Sequence, residues 1–213
     1  MLRFGGVVLS GGRSSRMGIS KATLPFGPEL MLQRVVRLLR DVVSPVTVVA
    51  APGQSLPDLP DEVLTTVDQH PDRGPLEGLH AGLLVAQDHV DAVYVTSCDV
   101  PLLRPEFVQR MCALLAEHDI VVPVDEDHVH PMAGVYRTHL VPQVRKLLDQ
   151  QRFRPLFLIQ EAKSFQVSAD QLRDIDPELS SLSNLNHPAD YLGALQQAGF
   201  EVPAELISRL KGP

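Results

Sequence analysis

FGGVVLSGGRSSRMGISK, residues 4–21, changes character halfway along. Its first half is apolar and β-branched and stops at a Gly-Gly pair, as a buried strand feeding a loop does. The second half, LSGGRSSRMGISK, is polar. Its glycines let backbone N–H groups approach an anion closely, and Arg13, Arg16 and Lys21 supply positive charge. That combination suits a triphosphate. A solvated Gly-Ser-Arg turn is the plainer alternative, but a buried strand running straight into three cations weighs against it. The loop lacks the Lys-Ser/Thr pair that ends a Walker loop, and it is not the GxGxxG of dinucleotide binders.

Beyond Lys21, strand and helix alternate. Leu32, Val35, Val36 and Leu39 recur at helical spacing across residues 29–42, with Arg34, Arg37 and Arg40 assigned to the opposite face. PVTVVAA (45–51) reads as a second buried strand, a Pro-rich loop extends to Asp61, and VLTTV (63–67) is a short third strand. Gly74-Pro75 opens a helix to about Asp88 with Leu76, Leu79, Leu83 and Leu84 as its core stripe. AVYVTS (92–97) is a strand, 105–117 a helix and DIVVPV (119–124) a strand. After His130 the order loosens: PMAGVYR reads as a strand, 140–151 as a helix, FQVS as a short strand, and 189–198 and 204–211 as two closing helices. Such alternation predicts an α/β fold, a three-layer α/β/α Rossmann-like arrangement around a mainly parallel, doubly wound sheet. Residues 1–213 are expected to form one domain.

Bulk properties narrow the function. The formal charge of −7 argues against a protein that grips nucleic-acid backbones. No apolar run approaches the ~20 residues needed to span a bilayer, and the opening residues lack a long apolar segment with a cleavage site, so a cytoplasmic location is expected. Cys98 and Cys112 have no metal-ligand spacing and read as buried, reduced thiols.

In open α/β sheets, ligands bind beyond the carboxyl ends of the strands. There VTSCDVP sets Asp99 at the end of an otherwise uncharged strand, where it either caps the next helix or begins a Mg²⁺ site, since Mg²⁺ needs only one or two protein carboxylates. Its pairing with the first loop favours the metal. In DQHPDRGPLEG, Gly74 and Gly78 are four residues apart at a helix start, so a ligand ring could lie flat on them or the helix could simply pack closely. Asn184 and Asn186 in NLN project to one side if extended, although turn-forming Asn is the ordinary explanation. His130, before Pro131, is the weakest candidate.

Taken in order, these motifs resemble the molybdenum cofactor guanylyltransferases of the nucleotidyltransferase superfamily. LSGGRSSRMGISK is similar to that family's LAGG-x₃-RMG-x-DK, GPLEG to GPLAG, SCDVP to GDxP or CDxP, HP-x-AGVYR to HP-x-xxLY, and NLNHPADY to NxNTPEDY. The resemblance implies a fold of the nucleotidyltransferase type in which GTP and a molybdopterin-type phosphorylated acceptor meet over the strand ends, with Mg²⁺ as cofactor and other molybdenum cofactor biosynthesis proteins as partners. It implies that Leu9, Gly11 and Gly12 contact the nucleotide, that Arg16 and Lys21 bind its phosphates, and that Asp99 holds the metal. Asp68, Gly74 and Gly78 would shape the guanine pocket, and Asn184, Asn186 and His130 would face the acceptor. GG in the first motif accompanies guanine in the family, whereas cytidylyl relatives tend to read LAAG. Alternatives are a relative using CTP or a sugar or polyol phosphate, or a GTP-binding homologue with impaired catalysis. Two departures stand out: Ser20 replaces the Asp that usually precedes the lysine, and residues 153–182 match no motif of the family.

Overall fold

The computed structural model describes residues 2–11, 20–70, 73–126 and 128–201. Gly12, Arg13, Arg16 and the helix expected at 204–211 lie outside the described residues.

Strand β1 (Phe4–Leu9) leads to a short 3₁₀ turn at Lys21–Thr23 and a two-residue-arm hairpin, β2 (Pro25–Phe26) and β3 (Glu29–Leu30). Then follow α1 (Met31–Arg40), β4 (Val46–Ala50), β5 (Leu64–Val67), α2 (Pro75–Ala86), β6 (Ala92–Ser97), α3 (Pro105–Leu114), β7 (Ile120–Asp125) and β8 (His128–Val129). The last part contains β9 (Gly134–Arg137), α4 (Val141–Asp149), α5 (Pro155–Glu161), β10 (Ser164–Ser168) and α6 (Pro188–Gln197).

The main sheet runs β10-β7-β9-β6-β1-β4-β5, with β8 as a hairpin arm on β7. β1 lies between β4 and β6 and pairs parallel with both, Leu9 standing level with Val49 and Ser97. β5 continues the parallel half, and β7 with β10 continues it beyond β9. β9 is the antiparallel exception, inserted between β6 and β7. The chain therefore leaves β1 in opposite directions, and the carboxyl ends of β1 and β6 lie side by side at the topological switch point where such sheets bind ligands.

One face of the sheet packs on α1 and α3 through Val35, Leu39, Phe107 and Met111, the other on α2, α4 and α5 through Leu79, Leu83, Val144 and Leu158. That is the expected three-layer arrangement. β1, β4 and β6 have helices on both faces, which is why they are almost uninterrupted apolar runs. A third cluster joins α6 to the β2–β3 hairpin through Phe26, Met31, Leu185, Tyr191 and Leu195.

Several expectations need correction. Leu84 is 46% exposed, because helical geometry turns it off the stripe formed by Leu76, Leu79 and Leu83. Arg34 is not on the solvent face of α1: it donates to Pro101 O at 2.7 Å and lies over the rings of Phe26 and Phe200. α3 ends at Leu114, and Ala116 turns left-handed (φ 39°), so the helix is shorter than expected. Pro131–Ala133 is a 3₁₀ turn, leaving only Gly134–Arg137 as strand. Residues 155–161, for which no element was expected, form α5 with Pro155 at its first turn.

Candidate active site

Lys21, at the start of the 3₁₀ turn that follows β1 in the chain, and Asp99, two residues beyond β6, meet past the carboxyl end of the sheet. Lys21 Nζ donates to Asp99 Oδ2 at 2.7 Å and to Asn186 Oδ1 at 3.0 Å. Three stretches separated by 78 and 165 positions thus meet at one ammonium group. Their side chains are largely shielded, Lys21 being 18% and Asp99 12% exposed. The other carboxylate oxygen, Oδ1, accepts a short hydrogen bond from the Ser97 hydroxyl. Ser97 ends β6, so the strand aims both of these side chains beyond its carboxyl end.

Asn186 arrives by a different route. Leu185 N donates to Asp99 O at 2.9 Å, and Asp190 Oδ2 accepts from Asn186 N at 3.0 Å and His187 N at 2.8 Å, closing the start of α6. Such a carboxylate satisfies N–H groups that the helix leaves free and favours its positive end. α6 is anchored by buried Tyr191, whose hydroxyl donates to Pro25 O. Pro25 lies four residues beyond Lys21, so this bond fastens the segment that carries Asn186 to the hairpin that follows Lys21. Asn184 is exposed beside buried Leu185.

Beside this cluster is a cavity of about 230 Å³ lined by Leu9, Gly11, Val49, Asp68, Gly74, Pro75 and Gly78. This is below the ~300–1,000 Å³ of sites that hold whole drug-sized ligands, so it fits one ring system. Two glycines are needed for its shape. At Gly11 a Cβ would press on Ala51, 3.1 Å from its backbone N, and Gly74 has φ 87°, a left-handed conformation at the start of α2. Gln54 ties the same rim together, accepting from Ala51 N at 2.9 Å and donating to Ser10 O and Oγ at 3.2 and 3.0 Å. Burial raises the pKa of Asp68 above the usual carboxylate range, although Asp68 Oδ1 accepts from His70 N at 2.8 Å.

Of the residues singled out in the sequence, Leu9, Gly11, Asp68, Gly74 and Gly78 share the cavity, while Lys21, Asp99 and Asn186 share the polar cluster. His130 stands at the same carboxyl edge but in the β8–β9 connection, its Nε2 3.1 Å from Asp125 Oδ2 and its ring edge-on to His128; it touches neither group. Sequence reasoning missed Ser97, Asp190 and a rim formed by Glu77, Arg73 and Phe153. Glu77 is buried and pairs with Arg73 at 3.2 Å, whose guanidinium lies over Phe153. Phe153 in turn packs behind Gly74. Ser97 and Glu77 lie inside quoted motifs and could have been noticed as polar residues in apolar surroundings; Phe153 carried no local signal. Cys98 and Cys112 are buried free thiols pushed up to about 12 by burial, which keeps them unreactive.

Among the described residues, no group of three His, Cys, Asp or Glu side chains is arranged to hold a metal on its own. Asp99 and Asn186 instead offer two hard oxygen donors, a set that suits Mg²⁺ when phosphates and water complete the shell. Among those residues, no helix is long and apolar enough to cross a membrane.

Comparison with known proteins finds relatives of this chain. Residues 6–164 match the model of the MobA-like NTP transferase domain. A probable molybdenum cofactor guanylyltransferase of Carboxydothermus hydrogenoformans is 32% identical over 185 residues, covering 86% of this chain and 91% of that protein. One from Mycobacterium tuberculosis is 35% identical over 196 residues, covering 90% and 92%. A crystal structure of molybdopterin-guanine dinucleotide biosynthesis protein A from Archaeoglobus fulgidus superposes with a TM-score of 0.74 at 20% identity, covering 92% of this chain and 98% of that one.

Proposed function

The chain belongs to the MobA-like NTP transferase domain family and is a nucleotidyltransferase; from that premise we propose that it transfers GMP from GTP to the phosphate of molybdopterin or the molybdenum cofactor, giving a guanine dinucleotide and pyrophosphate. The observation that carries this reading is the convergence of Lys21, Asp99 and Asn186 at one point beside a cavity sized for a single base. Residues 1–213 act as one nucleotidyltransferase domain in this reading.

The acceptor's phosphate oxyanion attacks the α-phosphorus, a new P–O bond forms, and the bond to the bridging oxygen breaks as pyrophosphate leaves. No covalent intermediate on the protein is needed, because the oxyanion is already a nucleophile; positioning and charge neutralisation are what the protein must supply. Leu9, Gly11, Gly74 and Gly78 hold the base flat in the cavity, with the Asp68 carboxyl as its polar reader. Lys21, with Arg16 and the Gly12 backbone from the first loop, neutralises the phosphates. Asp99 and the substrate's phosphates would together hold Mg²⁺, which when bound offsets charge on the departing pyrophosphate. Asn186 fixes the ammonium of Lys21 from the acceptor side, while Asn184 and His130, outside this cluster, would meet only more distant parts of the acceptor. The acceptor class comes from the curated relatives, and other molybdenum cofactor biosynthesis proteins are the expected partners. Mixing the protein with GTP, CTP, ATP or UTP and Mg²⁺ and following thermal stability tests nucleotide choice, because a ligand that binds only the folded state raises its stability. A shift selective for GTP supports the proposal, and an equal or larger shift with CTP refutes its guanine specificity.

A further inference from the structure

Of the three arginines of α1, Arg34 is the most shielded from water, and it holds the loop that carries Asp99. Its Nε donates to Pro101 O at 2.7 Å, two residues beyond Asp99. Leu185 N donates to Asp99 O at 2.9 Å. The backbone on which the Asp99 carboxylate stands is thus tied by one carbonyl to α1 and by another to the segment that leads into α6. The tie to α1 is the stronger kind, because its donor is charged. The guanidinium is itself caged. It lies 5.0 Å from the centre of the Phe26 ring and 5.5 Å from that of Phe200, with Nη1 3.6 Å from Glu29 Oε2 and the side chain 17% exposed. Gly27, in the turn of the β2–β3 hairpin, makes room for Phe200: a Cβ there would stand 2.5 Å from Phe200 Cζ. A guanidinium shielded from water against two rings is held more firmly than an exposed one, so it has little freedom to swing off the carbonyl.

We propose that Arg34 is a positioning residue for Asp99, keeping the carboxylate placed for a divalent ion through its bond to Pro101 O, and that Phe200 serves the same end by shielding the guanidinium. This rests on the reading of Asp99 as the metal's protein ligand. Removing a residue that orients a metal ligand typically weakens metal binding ~10–100-fold. A direct effect of charge has the opposite sign, since taking a cation away from the neighbourhood of a metal site strengthens binding there. The sign of the change therefore separates positioning from charge. Loss of Arg34 still leaves Glu29 paired, because Arg37 donates to its two oxygens at 2.7 and 3.0 Å.

The test is a Mn²⁺ titration of the full chain at saturating GTP and without acceptor. Water-proton relaxation is the readout, because it is enhanced more by Mn²⁺ on protein-bound nucleotide than by Mn²⁺ on free nucleotide, and circular dichroism reports the fold. Arg34→Met is expected to bind Mn²⁺ about tenfold more weakly than wild type. Arg34→Lys, which keeps a cationic donor beside the rings, recovers most of that loss, and Phe200→Ala weakens binding about threefold. Unchanged or tighter Mn²⁺ binding by folded Arg34→Met overturns the proposal, as does equal weakening in the Met and Lys variants. If Arg34→Met does not fold, Phe200→Ala decides, and unchanged affinity there overturns the proposal. Asp99→Asn tests the reading beneath it. No enhancement with wild type, or full Mn²⁺ binding by Asp99→Asn, refutes Asp99 as metal ligand, whereas weakened binding in Asp99→Asn with unchanged binding in Arg34→Met refutes only the role given to Arg34.

Discussion

Replacing Gly78 by alanine should separate the nucleotide site from the fold. Gly78 lies in the first turns of α2 and forms one wall of the 230 Å³ cavity. A Cβ there would meet Leu9 Cδ2 at 3.3 Å, Leu9 Cδ1 at 3.6 Å and Asp68 Oδ2 at 3.8 Å. The tightest neighbour is the end of a flexible side chain that can yield by a few tenths of an ångström. Against that small strain, exchanging a helical glycine for alanine gains ~0.5–1 kcal/mol. The melting temperature should therefore stay within about 4 °C of wild type. Binding is different, because the added methyl and the displaced Leu9 both enter the space meant for the base. Overfilling a fitted apolar site costs ~1–3 kcal/mol, a loss of about 5- to 150-fold in GTP affinity. Calorimetry can measure both quantities on the same preparation. An unchanged GTP affinity would refute the placement of the base, and a large drop in melting temperature would refute the packing argument.

Gly82→Ala, one helical turn further, should behave in the opposite way: its Cβ would lie 2.5 Å from Val7 Cγ1 and 3.3 Å from Val49 Cγ2, so thermal unfolding should fall by about 2–10 °C while the GTP affinity of folded protein is kept. Asn186→Ala should reduce kcat/KM about tenfold by freeing Lys21 from its neutral partner, with near-normal stability in urea titration; an unchanged kcat/KM counts against the positioning role. Asp68 has its pKa raised by burial, so the folded state holds its proton to higher pH than the unfolded chain does. Its contribution to stability is accordingly full below the ordinary carboxylate range and is lost as pH rises through the raised value. Urea titrations from acid to neutral pH should show Asp68→Asn gaining on wild type as pH rises, and a constant difference would exclude the effect.

The central strands were legible because burial on both sides leaves little freedom of composition: β1, β4 and β6 had to be apolar runs, and the glycine-rich and Asp99 loops had to follow them. The direction of β9 was not legible. GVYR carries the same pattern whether parallel or antiparallel, so the reversal of β9 between β6 and β7 came only from the structure. α5 was hidden because seven residues opening on Pro155 give too short a period to recognise. Asp99 and Lys21 could be suspected from their own loops. The arrival of Asn186 depended on a small third core joining α6 to the β2–β3 hairpin, whose two-residue arms fall below any periodicity. Leu84 and Arg34 show the limit of helical spacing: it names the face of a helix but not where that face ends, nor which cation finds an aromatic bed.

The most direct test is pyrophosphate release from GTP with Mg²⁺ and molybdopterin as acceptor, measured for wild type and Asp99→Asn at matched folded concentration. Release that depends on acceptor and falls by about two to three powers of ten in the variant, with melting temperature little changed, is the expected result. Equal release from both proteins, or none from wild type with any nucleoside triphosphate, would contradict it.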